Sequence, residues 1–217
     1  RITTTHLAAD PIFHPHSPYR NNASAVAKKY GLPIGEYLFF PGHTWPHKNH
    51  RTALQALRIV REEYQLDPLL VCTGSPKVAQ PELLALVQEL PPTNRVRFLG
   101  YCPAVEMPAL YEGAAALVFP SLFEGFGIPV LEAMWCDCPV ICSNTTSLAE
   151  IGGAAAVQVN PRSAEDLAQA MSRLLTDGQL RQTLVEQGQR QAQKFSWLRF
   201  TTQVVRVLHQ VREQRCG

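Results

Sequence analysis

The sequence has no long hydrophobic run, little excess charge of either sign and no cluster of basic residues. Its longest apolar stretch, residues 114–119, ends at Pro120, well short of the roughly 18 residues of a membrane span. Lys and Arg number 20 against 18 Asp and Glu, a net charge of +2. The first six residues lack the apolar core of a signal peptide. We therefore expect no membrane span and no nucleic-acid partner.

Six cysteines are present, but their spacing forms no disulfide framework of the kind found in small secreted proteins. Cys72 and Cys142 lie in apolar runs and are expected to be buried thiols, and a disulfide between Cys136 and Cys138 would be strained. A chain of 217 residues buries roughly 70% of its unfolded surface, so its core needs no disulfide or metal. We expect a cytoplasmic protein with free thiols.

Short apolar runs alternate with stretches of helical period along most of the chain. The runs predict strands over residues 37–40, 69–72, 96–99, 116–119, 140–142 and 155–159. The periodic stretches predict helices over residues 49–64, 81–90, 105–113, 129–136, 148–151, 163–175, 178–195 and 197–211. Because the strands are apolar throughout, the pattern predicts a parallel sheet covered on both faces. The expected fold is a doubly wound, Rossmann-like α/β domain.

The turn over residues 121–132 is the richest in functional groups. Ligands of such sheets bind beyond the carboxyl ends of the strands, and this turn leaves a strand and opens a helix. Gly125 and Gly127 allow a ligand close to the backbone, and the helix start is suited to a phosphate or a sugar hydroxyl. Glu124 lies in the loop and Glu132 one turn into the helix. The alternatives are a helix-start acid for Glu124 and a solvated helix residue for Glu132.

The turn over residues 43–50 is the second candidate. Lys48 follows a strand and precedes a helix, where its charge can neutralise a phosphate. The alternative is an ordinary exposed lysine at a helix start. Because both turns lie at carboxyl ends of one sheet, we expect a single crevice that holds one phosphorylated ligand.

The histidines of this second turn raise the question of a metal. His43, His47 and His50 match no zinc-binding spacing, so we predict no metal site. We interpret His47 and His50 as ordinary loop and helix residues, and Trp45 as packed beneath the loop.

Residues 118–134, VFPSLFEGFGIPVLEAM, resemble the signature of the retaining glycosyltransferases of family 4, which have the two-domain GT-B fold. Glu124 and Glu132 match the paired-glutamate motif of that family, and Lys48 with Asn49 matches its Lys-Asn pair that binds the donor phosphates. Residues 96–101, 139–144 and 147–153 are similar to further blocks of the family. The resemblance covers residues 35–200, and several ordered motifs together are more specific than any one alone.

The resemblance implies roles for individual residues. Lys48 and Glu124 are the implied catalytic residues, with Lys48 on the diphosphate of a nucleotide-sugar. The implied substrate-binding residues are His43, Gly74, Phe98, Tyr101, Gly125, Phe126, Gly127, Ile128 and Glu132. Among them Glu132 accepts the ribose hydroxyls, and residues 98–101 border the base. No cofactor is implied, because a donor such as GDP-mannose or UDP-glucose is a substrate.

The reaction that the resemblance implies is hexose transfer with retention at the anomeric carbon. The sugar becomes oxocarbenium-like, and the departing phosphate helps to deprotonate the acceptor on the same face. The sequence departs from the family at His43, where Arg is usual, and at Ala154, where an acid is common. Members with a Trp-x-His-Lys-Asn loop are similar to this chain, so we expect activity to survive.

The resemblance also implies a domain that this sequence does not contain. We expect residues 1–30 to be an interdomain linker and lead-in, with a strand over 2–7 and a helix over 24–30. Residues 31–195 form the nucleotide-sugar-binding domain, and residues 196–217 a helix that returns toward the missing N-terminal domain. We expect that domain to bind the glycan or lipid-linked acceptor, and the full-length protein to be cytoplasmic and peripheral at the inner membrane. The 217 residues alone should bind donor but transfer sugar poorly, with an exposed apolar face on the last helices.

Two other functions fit the same fold. A non-catalytic nucleotide-binding or interaction module would agree with His43 in place of Arg. A GT-B relative acting as an epimerase or phosphorylase is the third possibility, although a pyridoxal-lysine block is absent from the sequence. The fold alone does not decide among these functions. The loop between Glu124 and Glu132 favours the transferase.

Overall fold

The computed structural model describes residues 2–90 and 95–216, with side chains to residue 213. Within these ranges a six-stranded parallel sheet has the order β3-β2-β1-β4-β5-β6. The strands are β1 (Tyr37–Pro41), β2 (Leu69–Thr73), β3 (Val96–Phe98), β4 (Ala116–Phe119), β5 (Val140–Ser143) and β6 (Val157–Val159). This confirms the predicted doubly wound sheet, whose order reverses between β1 and β4.

Helices cover both faces of the sheet. They are α1 (Ala23–Tyr30), α2 (His50–Glu62), α3 (Gln80–Gln88), α4 (Met107–Glu112), α5 (Ile128–Trp135), α6 (Thr146–Gly152), α7 (Ala164–Thr176), α8 (Gly178–Ala192) and α9 (Trp197–Cys216). The helices occur in the predicted order, and most of them begin or end a few residues away from the predicted positions. Predicted strand residues Ala155 and Ala156 lie before β6, because a short 3-10 turn over Gly153–Ala155 comes first. The last helix runs beyond residue 211, where its prediction ended.

The core consists of one apolar layer on each face of the sheet. Side chains alternate along a strand, so Leu38 and Phe40 of β1 point to one face while Phe39 points to the other. The layer that contains Leu38 and Phe40 packs under α2, α3 and α7. The layer that contains Phe39 packs under α1, α4, α5 and α6. Because each strand of the centre is buried on both faces, its apolar run is continuous, as the sequence indicated.

The predicted strand over residues 2–7 is wrong. Among the residues that the structure describes, this segment has no strand partner and instead bonds to side chains of two helices, so no ladder forms. Gln203 of α9 donates a hydrogen bond to the Thr4 carbonyl at 2.6 Å, and His6 bonds Glu150 at 2.7 Å. The predicted helix over residues 24–30 is confirmed as α1.

Arg20 fixes the rest of the lead-in to the domain. Its buried guanidinium donates to the Glu112 carboxylate, to the Trp135 carbonyl and, at 3.0 Å, to Asp137. A buried charge requires such partners, because an uncompensated one costs several kcal/mol. Residues 10–20 are therefore attached to α4 and to the end of α5.

The cysteines agree with the prediction of free thiols. Cys72, Cys136, Cys138 and Cys142 are buried and free, and burial raises the pKa of each thiol. In the described part of the chain, every helix is too short or too polar to cross a membrane. The expected exposed face on α9 is confirmed, since Leu198, Val205, Leu208 and Val211 are exposed.

Candidate functional site

A crevice of about 240 Å³ lies at the carboxyl edge of the sheet, beside the point where the strand order reverses. Open α/β sheets bind their ligands at such a reversal, because the loops on either side diverge there. The crevice is lined by the predicted residues His43, Lys48, Gly74 and Tyr101, and by Pro41, Gly42, Thr73, Cys102, Met107 and Pro129. The first four are among the substrate-binding residues that the resemblance implies. Of the others, Pro41 and Thr73 end β1 and β2, Met107 begins α4, and Pro129 lies in α5 within the signature of residues 118–134.

Gly74 lets the turns after β1 and β2 touch. Its φ of +112° is a conformation that other residues rarely adopt, and a Cβ there would lie 2.6 Å from the Gly42 carbonyl carbon. The Gly74 amide donates to the Gly100 carbonyl at 2.7 Å, and the Gly42 amide donates to Thr73 at 2.9 Å. One wall of the crevice is thus backbone from three adjacent turns.

Lys48 and Glu124 meet across the reversal of the strand order. Lys48 follows β1 and Glu124 follows β4, and Nζ lies 2.7 Å from the carboxylate oxygen Oε1. Their side chains are only 18% and 14% exposed, and the Lys48 Nζ lies 5.2 Å from the centroid of the Phe119 ring. This partly buried ion pair excludes the alternative of an ordinary exposed lysine. It also brings together the two turns that the sequence predicted to form one crevice.

Asn49 fixes the loop that carries Lys48. Its buried amide Nδ2 donates to the Pro120 carbonyl at 2.9 Å and to the Pro161 carbonyl at 2.7 Å. Its Oδ1 accepts the Thr52 hydroxyl at 2.8 Å. These bonds connect the loops after β1, β4 and β6. Asn49 therefore holds the loop that carries Lys48 in a fixed position relative to the loop that carries Glu124. The resemblance paired it with Lys48 but did not indicate this role.

The loop of residues 120–127 joins β4 to α5 and carries the glycines of the signature. Gly127 has a φ of +105°, and a Cβ there would lie 2.6 Å from a methyl of Leu148. Gly125 faces open space, since a Cβ there would meet no atom within 4 Å. Phe126 packs against His6 and Phe195, with ring centroids 6.2 and 6.0 Å away. The loop therefore exposes backbone at Gly125 and is anchored at Phe126, ahead of the first helical residue, Ile128.

Glu132 is turned away from Glu124 toward α4. Its Oε2 accepts a hydrogen bond from the buried Tyr111 hydroxyl at 2.7 Å. Burial raises the pKa of Glu132 to about 7, and the charge of Asp10 adds to this, whereas the Tyr111 hydrogen bond opposes it. The alternative of a solvated helix residue is therefore wrong. The two glutamates have separate partners, and Tyr111 could not be found by spacing, because it lies outside the motif.

The predicted residues of the base region lie in different surroundings. Tyr101 is 74% exposed at the crevice, where an aromatic ring is free to stack on a ligand. Phe98 instead packs against the core layer under α2 and α3. Trp45 is 42% exposed, with the Lys77 Nζ 5.7 Å from its ring centroid. The expectation that Trp45 packs beneath its loop is therefore wrong.

His50 is a core histidine at the start of α2. Its ring is buried and stacks on Phe40 with centroids 4.0 Å apart. Burial lowers its pKa to about 4, and the charge of Lys48 contributes in the same direction. The ring is therefore neutral near pH 7. Within residues 2–90 and 95–216, no group of three or more His, Cys, Asp or Glu could hold a metal ion.

Comparison with known proteins shows the family of this chain. The family model described as glycosyl transferases group 1 matches residues 27–191. The O-antigen chain mannosyltransferase B of Escherichia coli is 36% identical over 205 residues, which are 94% of this chain and 53% of that protein. The chain thus spans about half the length of this relative.

Solved structures show the same fold. WaaG, a glycosyltransferase involved in lipopolysaccharide biosynthesis, superposes with a TM-score of 0.77 at 21% identity, over 93% of this chain and 55% of WaaG. The C-terminal domain of a group 1 glycosyl transferase from Francisella tularensis superposes with a TM-score of 0.70 at 23% identity, over 84% of this chain and 95% of that domain. With the family match, these likenesses establish that the chain belongs to the group 1 glycosyl transferases and has the Rossmann-like fold of a GT-B domain.

Proposed function

We propose that this chain is the donor-binding domain of a retaining glycosyltransferase of family 4. The proposed reaction moves a hexose from a nucleoside diphosphate sugar to a glycan or lipid-linked acceptor, without a cofactor. The mannosyltransferase relative favours mannose over glucose as the sugar. The observation that carries the proposal is the ion pair of Lys48 and Glu124 beside the crevice, where a cation and a carboxylate meet at the reversal of the strands.

The electrostatics of the crevice suit a departing diphosphate. When the bond between the anomeric carbon and the phosphate oxygen breaks, its electron pair stays on the diphosphate. The charge of Lys48 and the backbone N–H groups at the start of α5 stabilise that charge. The acceptor oxygen then bonds to the anomeric carbon on the same face, and its proton passes to the departing phosphate. No protein nucleophile is needed in this scheme.

Glu124 neutralises Lys48 until a donor arrives. A partly buried lysine without a counter-charge would destabilise the fold. Glu124 supplies the counter-charge, with its Oε1 2.7 Å from the Lys48 Nζ. The diphosphate brings its own negative charge to Lys48, so the carboxylate becomes available to the sugar hydroxyls. The exposed backbone at Gly125 lies in the same loop, where it can approach the sugar closely.

Glu132 is the proposed acceptor for the ribose hydroxyls. It lies one turn into α5, where Tyr111 holds one carboxylate oxygen and leaves the other for a ligand. A carboxylate at the rim of a nucleotide crevice commonly serves this purpose. Tyr101, which lines the crevice, is the proposed contact for the base.

We also propose that the acceptor binds to a second domain. Residues 1–30 then form the linker and residues 196–217 the returning helix, whose exposed residues Leu198, Val205 and Leu208 face that domain. The chain by itself is expected to bind donor without efficient transfer. A non-catalytic nucleotide-binding module is the second candidate, because His43 stands where the resemblance leads us to expect a permanent cation.

Calorimetric titration tests the proposal. UDP, GDP, UDP-glucose and GDP-mannose are titrated into the chain, into Lys48→Ala and into Glu132→Ala, with Lys28→Ala on α1 as a control that removes the same charge elsewhere. We expect saturable binding of one nucleotide, weakened about tenfold or more by Lys48→Ala and Glu132→Ala but unchanged by Lys28→Ala. Equal binding by Lys48→Ala would contradict the proposed site. Transfer by a longer protein that contains both domains separates the enzyme from the non-catalytic module.

A further inference from the structure

His43 is held so that its two ring nitrogens have different roles. The Ser75 backbone N–H donates a hydrogen bond to His43 Nδ1 at 2.8 Å. A nitrogen that accepts such a bond carries no proton, and a neutral imidazole has one N–H in all. The proton of neutral His43 is therefore on Nε2, and the ring lines the same crevice as Lys48.

The position of the Ser75 N–H is set by the backbone around it. Gly74 packs so closely on the turn after β1 that an added Cβ would lie 2.8 Å from the backbone nitrogen of His43. The Thr44 hydroxyl also accepts the Lys77 amide at 2.6 Å, just beyond Ser75. These contacts on both sides of Ser75 fix its N–H against the His43 ring, independent of any ligand.

We propose that Ser75 is a positioning residue whose backbone N–H selects the Nε2–H tautomer of His43. The Nε2–H of His43 then donates to a phosphate oxygen of the nucleoside diphosphate. The inference rests on the proposed function, since it needs the diphosphate beside Lys48. Lys48 then supplies the charge, and His43 supplies one directional hydrogen bond.

The tautomer determines the sign of the interaction. With the proton on Nε2, the ring presents a donor to the phosphate, which attracts it. With the proton on Nδ1, the ring would present the Nε2 lone pair to an anion and would also lose the bond from Ser75. An arginine needs no such selection, because all its nitrogens are donors. A histidine at this position needs a fixed N–H donor to Nδ1, which the Ser75 backbone in the turn after β2 provides.

Nitrogen NMR tests the tautomer directly. Long-range ¹H–¹⁵N spectra are recorded on the ligand-free chain at about pH 8, where an ordinary imidazole is neutral. The chain has seven histidines, so His43→Phe identifies the signals of His43. We expect the Nε2–H pattern for His43 in the wild type and in Ser75→Ala, which keeps the backbone donor. Ser75→Pro removes that donor, so the Nδ1–H fraction of His43 should rise above that of the wild type and of Ser75→Ala. A dominant Nδ1–H form in the wild type would overturn the inference.

Calorimetry with GDP and UDP tests the contact with the ligand. His43→Phe should weaken binding about ten- to a hundredfold, the effect of losing a hydrogen bond to a charged group. His43→Gln, whose amide N–H reaches toward the Nε2 position, should recover most of that loss. His47→Phe is the control, since His47 is an exposed histidine of the same loop.

The outcomes separate this inference from the proposed function. If the wild type binds nucleotide and Lys48→Ala does not, but His43→Phe binds like the wild type, only the role of His43 is wrong. If the folded wild type binds neither GDP nor UDP, alone or with its second domain, both proposals are overturned.

Discussion

Glu132→Gln tests whether the site retains a carboxylate at the expense of stability. Burial raises the pKa of Glu132 from an ordinary 4.5 to about 7. Because the folded pKa is raised, folding takes up a proton between these two values, and stability falls as the pH rises through that window. At 1.36 kcal/mol per pKa unit, the ionised carboxylate costs about 3 kcal/mol above pH 7. Glutamine has the same shape and still accepts the Tyr111 hydroxyl, but it cannot ionise.

Urea unfolding of both proteins across the pH range measures this cost. We expect Glu132→Gln to match the wild type near pH 4.5 and to exceed its unfolding free energy by about 3 kcal/mol near pH 8. The difference between the two curves is the informative quantity, because contributions from other titrating groups cancel. Tyr111→Phe removes the hydrogen bond that favours the charged form, so the loss of stability with rising pH should become larger and extend to higher pH.

Two results would refute this reasoning. One is a difference between wild type and Glu132→Gln that stays constant from about pH 4.5 to pH 8. The other is a ¹³C titration of the Glu132 carboxyl with a midpoint near its ordinary value. A stabilised variant that has lost nucleotide affinity would show the trade-off expected of a functional carboxylate.

Three further substitutions, one of them a control, test the backbone of the crevice and the core beside it. Gly74→Ala combines a φ of +112° with a Cβ 2.6 Å from the Gly42 carbonyl carbon, so urea unfolding should show a loss of about 3 kcal/mol. Gly35→Ala, with a φ of +77° and open space around its Cβ, should lose only about 1 kcal/mol. His50→Phe should match the wild type near pH 8 and be about 2 kcal/mol more stable near pH 5, because the lowered pKa of His50 makes the wild type lose stability in acid. An equal response to acid in both proteins would show that His50 is not a neutral core residue.

The sequence predicted the sheet well because its signals are local. Each central strand is buried on both faces, so each leaves a continuous apolar run bounded by a turn. The two turns of the crevice were also predictable, since parallel strands bring their carboxyl ends to one edge of a sheet. Lys48 and Glu124 meet for that reason, although 76 positions separate them.

The failures concern partners that are distant in sequence. Tyr111 and Glu132 are 21 positions apart, Arg20 and Glu112 are 92 apart, and no periodicity marks either pair. Residues 2–7 resemble a strand in sequence because strand propensity is a local property. Whether they form one depends on a neighbouring strand to pair with, which they lack within the described part of the chain. His50 shows the same limit, since its burial depends on the position of Phe40 in β1.

The ends of the chain shape the signature loop more than its motif suggests. The residues that match the family model, 27–191, contain all six strands of the described sheet and both turns of the crevice. Phe126 nevertheless packs on His6 and Phe195, which both lie outside that range. His6 in turn bonds Glu150 on α6, so the lead-in connects the loop to the next helix. The motif therefore supplies the chemical groups, and the segments on either side of residues 27–191 fix where the backbone presents them.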